Sequence, residues 1–147
     1  MRLKIAALCM VSLASAVAQT ASTDDSSKAV VYVYRLQGGS GPPPNSPSFY
    51  CDEQELARMQ HGRYFSIRLD AGKHSCRSTD GKSVVELDVK AGQTYYIRGE
   101  VVPVQAKPRG AITQMSPEQG ASEARKLKPL PSGMVKDRNR VLLDPPK

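Results

Sequence analysis

Residues 63–76 read RYFSIRLDAGKHSC, and this stretch decides the fold. Phe65, Ile67 and Leu69 alternate with Tyr64, Ser66, Arg68 and Asp70. A period of two puts the first set on one face of a strand and the second set on the other. Ala71-Gly72 then breaks the run, with Gly72 free to take positive φ, and KHSC begins another strand. Residues 89–96, VKAGQTYY, repeat the device with Ala91-Gly92 between two strand-like runs.

Working outward, SVVELDVK (83–90) alternates Val85, Leu87 and Val89 inward with Glu86, Asp88 and Lys90 outward. Asp80-Gly81 makes the turn before it. AVVYVYRL (29–36) is β-branched or aromatic on both alternating faces and reads as a central strand. SFYCDE (48–53) is a further strand ending in a polar turn. QELARMQHG (54–62) fits both periods poorly and is read as a strand. QTYYIRGEVVPV (93–104) is a long strand. About six to seven short strands with turns between them predict an all-β fold, a small antiparallel β-sandwich. Near the end, Ser116-Pro117 with Gln119 is a capping box with proline at the first helical position. One short C-terminal helix is expected over 117–127, stopped by Pro129 and Pro131.

The N-terminus has a different character. Arg2 and Lys4 precede the short, mainly apolar run Ile5–Leu13, and Ala16-Val17-Ala18 supplies small residues. This is the pattern of a secretory signal peptide over 1–18, cut between Ala18 and Gln19. Cys9 lacks a credible lipobox, because Ala6-Ala7-Leu8 is in the wrong order, so lipidation is not expected. No later run could span a bilayer. The resulting organisation is a polar linker at 19–28, a domain at 29–127, and a Pro-rich basic tail at 128–147 expected to be poorly ordered, although RVLL (140–143) could dock.

The formal charge of +7 is unevenly spread. From Gln19 to Ala106 ten Lys and Arg meet ten Asp and Glu, whereas from Lys107 onward nine meet four. A basic tail suits an anionic envelope surface, or serves solubility alone. The basic residues form no consecutive run, which argues against nucleic acid.

Cleavage would leave two cysteines, Cys51 and Cys76. In an oxidising compartment their simplest fate is a disulfide. Two alternatives stay open: free thiols, or a metal site made of Cys51, His61, His74 and Cys76, whose spacing matches no zinc-finger pattern. For catalysis the chain offers only His61 and His74, and no nucleophile elbow, phosphate-cradling loop or metalloprotease motif. No catalytic residue and no cofactor is assigned. Asp52, Glu53 and Glu55 could do acid–base work but read as a solvated turn. Arg35, Arg68 and Arg98 are candidates for an anion site. Tyr95 and Tyr96 point to opposite faces, so at most one is an exposed binding aromatic.

Taken in order, Tyr32, Tyr34 and Arg35, then Tyr64, Ala71-Gly72-Lys73-His74, and Ala91-Gly92-Gln93-Tyr95-Tyr96-Arg98 resemble a bacterial family catalogued as domain of unknown function 2846. The resemblance runs from Ala29 to Leu127. It implies a small exported β-sandwich of transthyretin-like build, and no activity. Many of its members look like lipoproteins; this chain departs from them in lacking a credible lipobox, so that attachment is not expected here. The reading is therefore an exported, periplasmic or secreted, non-catalytic interaction or structural module of the cell envelope. A periplasmic metal-binding protein is the alternative, and an unrecognised carboxylate enzyme is the third.

Overall fold

Strand β1 (Lys28–Arg35) is covered on both faces, as its composition predicts. Ala29, Val31 and Val33 face a second sheet, while Tyr32 and Tyr34 enter a separate cluster on the opposite side. The structure is a computed structural model that describes residues 25–38, 46–79, 81–102 and 109–147. The expected leader at 1–18, its cleavage point between Ala18 and Gln19, and residues 19–24 of the linker lie outside the described residues, as do Asp80 and most of the Gly- and Pro-rich loop.

Two sheets pack face to face. In the larger, β1 lies between β4 (Arg63–Asp70), antiparallel to it, and β7 (Thr94–Val102), parallel to it. Beyond β7 runs β8 (Arg109–Met115), antiparallel. The smaller sheet has the order β3-β2-β5-β6, where β2 is Ser48–Cys51, β3 Gln54–Arg58, β5 Gly72–Ser78 and β6 Val84–Val89, all antiparallel. Phe49, Leu56, Met59, Phe65, Ile67, Leu87 and Ile97 fill the space between the sheets. The all-β sandwich with one short helix is as expected. Its larger sheet is mixed rather than purely antiparallel. The chain between β1 and β7 builds β4 and the whole second sheet, and so long a connection can return a strand parallel, which a tight turn cannot.

The outer face of the larger sheet is covered too. Helix α1 (Pro117–Ala124) starts as its cap predicts, with Ser116 Oγ accepting from Gln119 N at 3.3 Å. It ends one turn earlier than the expected Leu127. It lies over Tyr32, Tyr34, Tyr64 and Tyr96, with Ala124 buried among them. Gly120 sits mid-helix, where glycine costs about 1 kcal/mol against alanine. The close approach explains it, because a Cβ there would fall inside the Tyr96 side chain. Gly120→Ala is expected to destabilise by about 1–3 kcal/mol despite its better propensity, as overpacking does. A thermal melt that rose instead would show that the helix can lift off Tyr96 without cost.

The tail corrects the sequence reading most. Residues 128–147 are ordered against both sheets. Strand β9 (Lys128–Pro129) pairs parallel with Arg63 and Tyr64, and β10 (Val141–Leu142) pairs antiparallel with Ile67 and Ser66, all along the outer edge of β4. Between them, a 3-10 turn at Ser132–Met134 leads across to the other sheet. There Val135 bridges Ala57 of β3, and the N–H groups of Lys136 and Asp137 donate to Leu56 O at 2.8 and 3.1 Å. Leu130 and Val141 are buried in the core. Two sheet edges with unmet hydrogen-bonding groups are thereby satisfied by one segment.

Candidate functional site

The disulfide reading holds. Cys51 and Cys76 stand directly opposite each other on β2 and β5, buried, and are bonded. The four-residue metal set does not assemble. The cysteine sulfurs are bonded to each other, and each histidine is held by a different group. Arg35 Nη2 lies 3.0 Å from His61 Nε2, a geometry that suits a neutral imidazole accepting. Burial, then the Arg35 cation, holds the His61 pKa below its ordinary value. Among the described residues, no group of three or more His, Cys, Asp or Glu could hold a metal ion.

His74 closes the β2–β3 turn. Asp52 and Glu53 both have positive φ, 50° and 64°, which non-glycine residues rarely adopt. Asp52 is fixed by His74 Nδ1 at 2.7 Å from Oδ2 and by the Ser75 N–H donating to Oδ1 at 3.2 Å. The other imidazole nitrogen, Nε2, donates to Asp70 O at 2.7 Å. Burial works against the charge on both groups, but the hydrogen bonds outweigh it: Asp52 is held below 3.8 and His74 above 6.5. The stability from Asp52 is present above 3.8 and lost as pH falls through its depressed value. That from His74 is present below 6.5 and lost as pH rises through its elevated value. Both act in full between those limits. The wild type is therefore expected to out-stabilise His74→Gln most near pH 5 and least near pH 9, by under about 1 kcal/mol because the pair is partly exposed. Melts at the two pH values check this, and a pH-independent gap would contradict it.

The other acidic candidates are also engaged: Glu53 with Arg77 at 3.3 Å and Glu55 with the Ser48 hydroxyl at 2.6 Å. The three arginines do not meet at one site: Arg35 and Arg98 line a pocket of about 290 Å³ with His61, and Arg68 lies elsewhere. Arg35 shares the inter-sheet face of β1 with Val33, is only 2 % exposed, and donates from Nη1 to Met59 O at 2.9 Å. Arg98 lies on the opposite face, registered with Tyr34. Its Nε is 2.7 Å from Glu100 Oε1, near enough for an ion pair but not aligned for a hydrogen bond. Its Nη1 reaches Glu123 Oε1 at 3.4 Å. Glu123, which the sequence did not single out, also accepts from the Tyr34 hydroxyl at 2.6 Å and from Gln119 Nε2 at 3.0 Å. These contacts overcome burial and hold its carboxyl below the ordinary value. Glu123 thus pins α1 to the sheet.

Arg68 leads to a different place. Toward the start of β1, on the outer face of the larger sheet, lies a pocket of about 460 Å³. Tyr32 and Tyr96 line it, their rings stacked with centroids 5.5 Å apart. Lys28 and Arg68 flank them, and the tail closes it with Asp144, Pro145 and Lys147. The roof is tied down by hydrogen bonds from the Tyr32 hydroxyl to Pro145 O at 3.1 Å and from Arg125 Nε to Lys147 O at 3.0 Å. Burial first, then Tyr96 and Asp144, push the Tyr32 pKa upward, while Arg68 opposes them. Tyr96 is buried here beneath the helix, and Tyr95 is half-buried on the opposite, inter-sheet side.

A family model described as protein of unknown function (DUF2846) matches residues 25–110. The chain belongs to this family. No curated protein and no solved structure matches it. The DUF2846 match spans β1 to β7 and ends at Gly110 in β8, short of the helix that the sequence resemblance took in. The floor of the pocket, from Lys28 to Tyr96, thus falls within the DUF2846 region, and its roof, from Leu142 to Lys147, lies beyond it.

Proposed function

We propose that this DUF2846 protein is an exported, non-catalytic interaction module of the cell envelope. The observation that carries the reading is the buried Cys51–Cys76 bond, because such bonds persist in oxidising compartments. The signal-peptide pattern at 1–18 agrees with it. Recognition in place of turnover is supported by how the acid–base candidates are used. Asp52, Glu53, Glu55, His61 and His74 each have a polar atom engaged by a neighbouring residue. The basic excess beyond Lys107 favours an anionic partner surface.

Cell fractionation with thiol labelling tests this. The protein should be recovered outside the cytosol with Cys51 and Cys76 protected from alkylation. Purified protein should turn over none of a panel of ester, glycoside and phosphoester substrates. Recovery in the cytosol with both thiols alkylated would sink the export reading. Turnover abolished by Asp52→Asn or Glu55→Gln would sink the non-catalytic one.

A further inference from the structure

We infer that the pocket between the larger sheet and the tail binds a small hydroxylated anion, a sugar or polyol bearing a carboxylate or a phosphate. The inference rests on reading the protein as a binding module and adds the site and the ligand class.

Three features of the pocket point to that chemistry. The first is charge. Among its lining residues the cationic side chains of Lys28, Arg68 and Lys147 outnumber the one acidic side chain, Asp144, so the cavity favours an anion. Lys28 is paired with Asp70 at 3.3 Å, but its side chain is 43 % exposed and that of Asp70 80 % exposed, so the pair is weak and Lys28 can turn to a ligand. Arg68 brings a guanidinium with five N–H donors, the group best matched to carboxylate or phosphate, which can add a ligand oxygen to the partners it already has.

The second is the mixture of acceptor and donor groups beside the cations. Asp144 can accept from ligand hydroxyls. The Tyr32 hydroxyl, donating to Pro145 O at 3.1 Å, keeps its oxygen lone pairs for a ligand hydroxyl at the same wall. A bare inorganic anion would meet the arginine and lysines but leave Asp144 as a repulsive neighbour. A hydroxyl-bearing anion satisfies both. The third is size and build. About 460 Å³ falls within the range of small-molecule sites, and the pocket is mostly preformed, with stacked tyrosines under it and the tail tied over it.

The test is titration of the full chain, disulfide intact and isotopically labelled, with glucuronate, glucose 6-phosphate, glucose and inorganic phosphate in parallel. At least one charged sugar should bind saturably, shifting the amide signals of Thr94, Leu142 and Asp144. Glucuronate alone would assign a carboxylate ligand, glucose 6-phosphate alone a phosphate ligand, and either result supports the inference. Arg68→Gln should weaken binding about tenfold or more, as loss of a charge-assisted contact does. Lys28→Gln, at an exposed position, repeats the test where Arg68→Gln fails to fold, and should also weaken binding.

Glucose or inorganic phosphate binding as tightly as the charged sugars would overturn the inference. So would shifts confined to another part of the molecule, or binding unchanged by both substitutions, or no binding by any of the four. None of these results bears on the compartment or on catalysis, which fractionation and turnover assays decide separately.

Discussion

Ending the chain after Leu127 is expected to abolish the cooperatively folded monomer. The deleted residues 128–147 supply two buried core side chains, Leu130 and Val141, and the partly buried Met134, Val135 and Leu143. Burying a side chain such as Leu130 or Val141 contributes about 1.5–3 kcal/mol. Their joint loss rivals the whole stability of a typical domain, about 5–15 kcal/mol. The backbone loses pairing as well. The hydrogen bonds from Leu130 N to Tyr64 O and from Lys136 N to Leu56 O, both 2.8 Å, disappear with the tail. The outer edges of β4 and β3 then stand open, and an open edge pairs with whatever strand arrives. Light scattering coupled to size exclusion should show mass rising with concentration, and calorimetry should show no sharp transition. The milder Leu130→Ala should cost about 2–5 kcal/mol by cavity formation, with the edges still covered. A truncated chain that stays monomeric and melts at the wild-type temperature would show that the sandwich closes without its C-terminal segment.

The double substitution Cys51→Ala/Cys76→Ala is expected to be the next most damaging change. The bond closes a loop with a sequence separation of 25. Removing such a cross-link costs about 3 kcal/mol in the chain-entropy model. The loop holds β3 and β4, one strand from each sheet, so the bond fixes β2 against β5 across an excursion into the opposite layer. In urea, where slopes for small proteins run about 1–3 kcal/mol per molar, the midpoint should fall by about 1–3 M. Reduction of the wild type should produce a shift of similar size. Equal midpoints with and without reductant would mean that the β2–β5 pairing is held by its backbone and packing alone.

What could be read beforehand follows from the range of each interaction. The alternation in residues 63–70 and 84–89 is local, and those strands bury the expected faces. Gly72 and Gly92 take the positive φ that their Ala-Gly turns require, at 133° and 75°. The Ser116 cap is equally local. The parallel pairing of β1 with β7 joins residues more than sixty positions apart, and no short pattern encodes it. The tail escaped because its two strands are two residues each, too short to show a period, and prolines interrupt them. The three arginines were legible only singly. Strand alternation places Arg35 with Val33 and Arg68 with Ser66, but which faces coincide depends on the register between strands. The pocket was hidden for the same reason, since its floor comes from β1, β4 and β7 and its roof from the tail.

The central claim is that this is an exported, disulfide-bonded envelope module. Intact mass spectrometry of the protein recovered from its own cells, with and without reduction, tests it most directly. The account predicts a chain beginning at Gln19 that gains two hydrogen atoms on reduction and reports the Cys51–Cys76 bond. A chain still carrying residues 1–18, unchanged in mass by reductant, would contradict it.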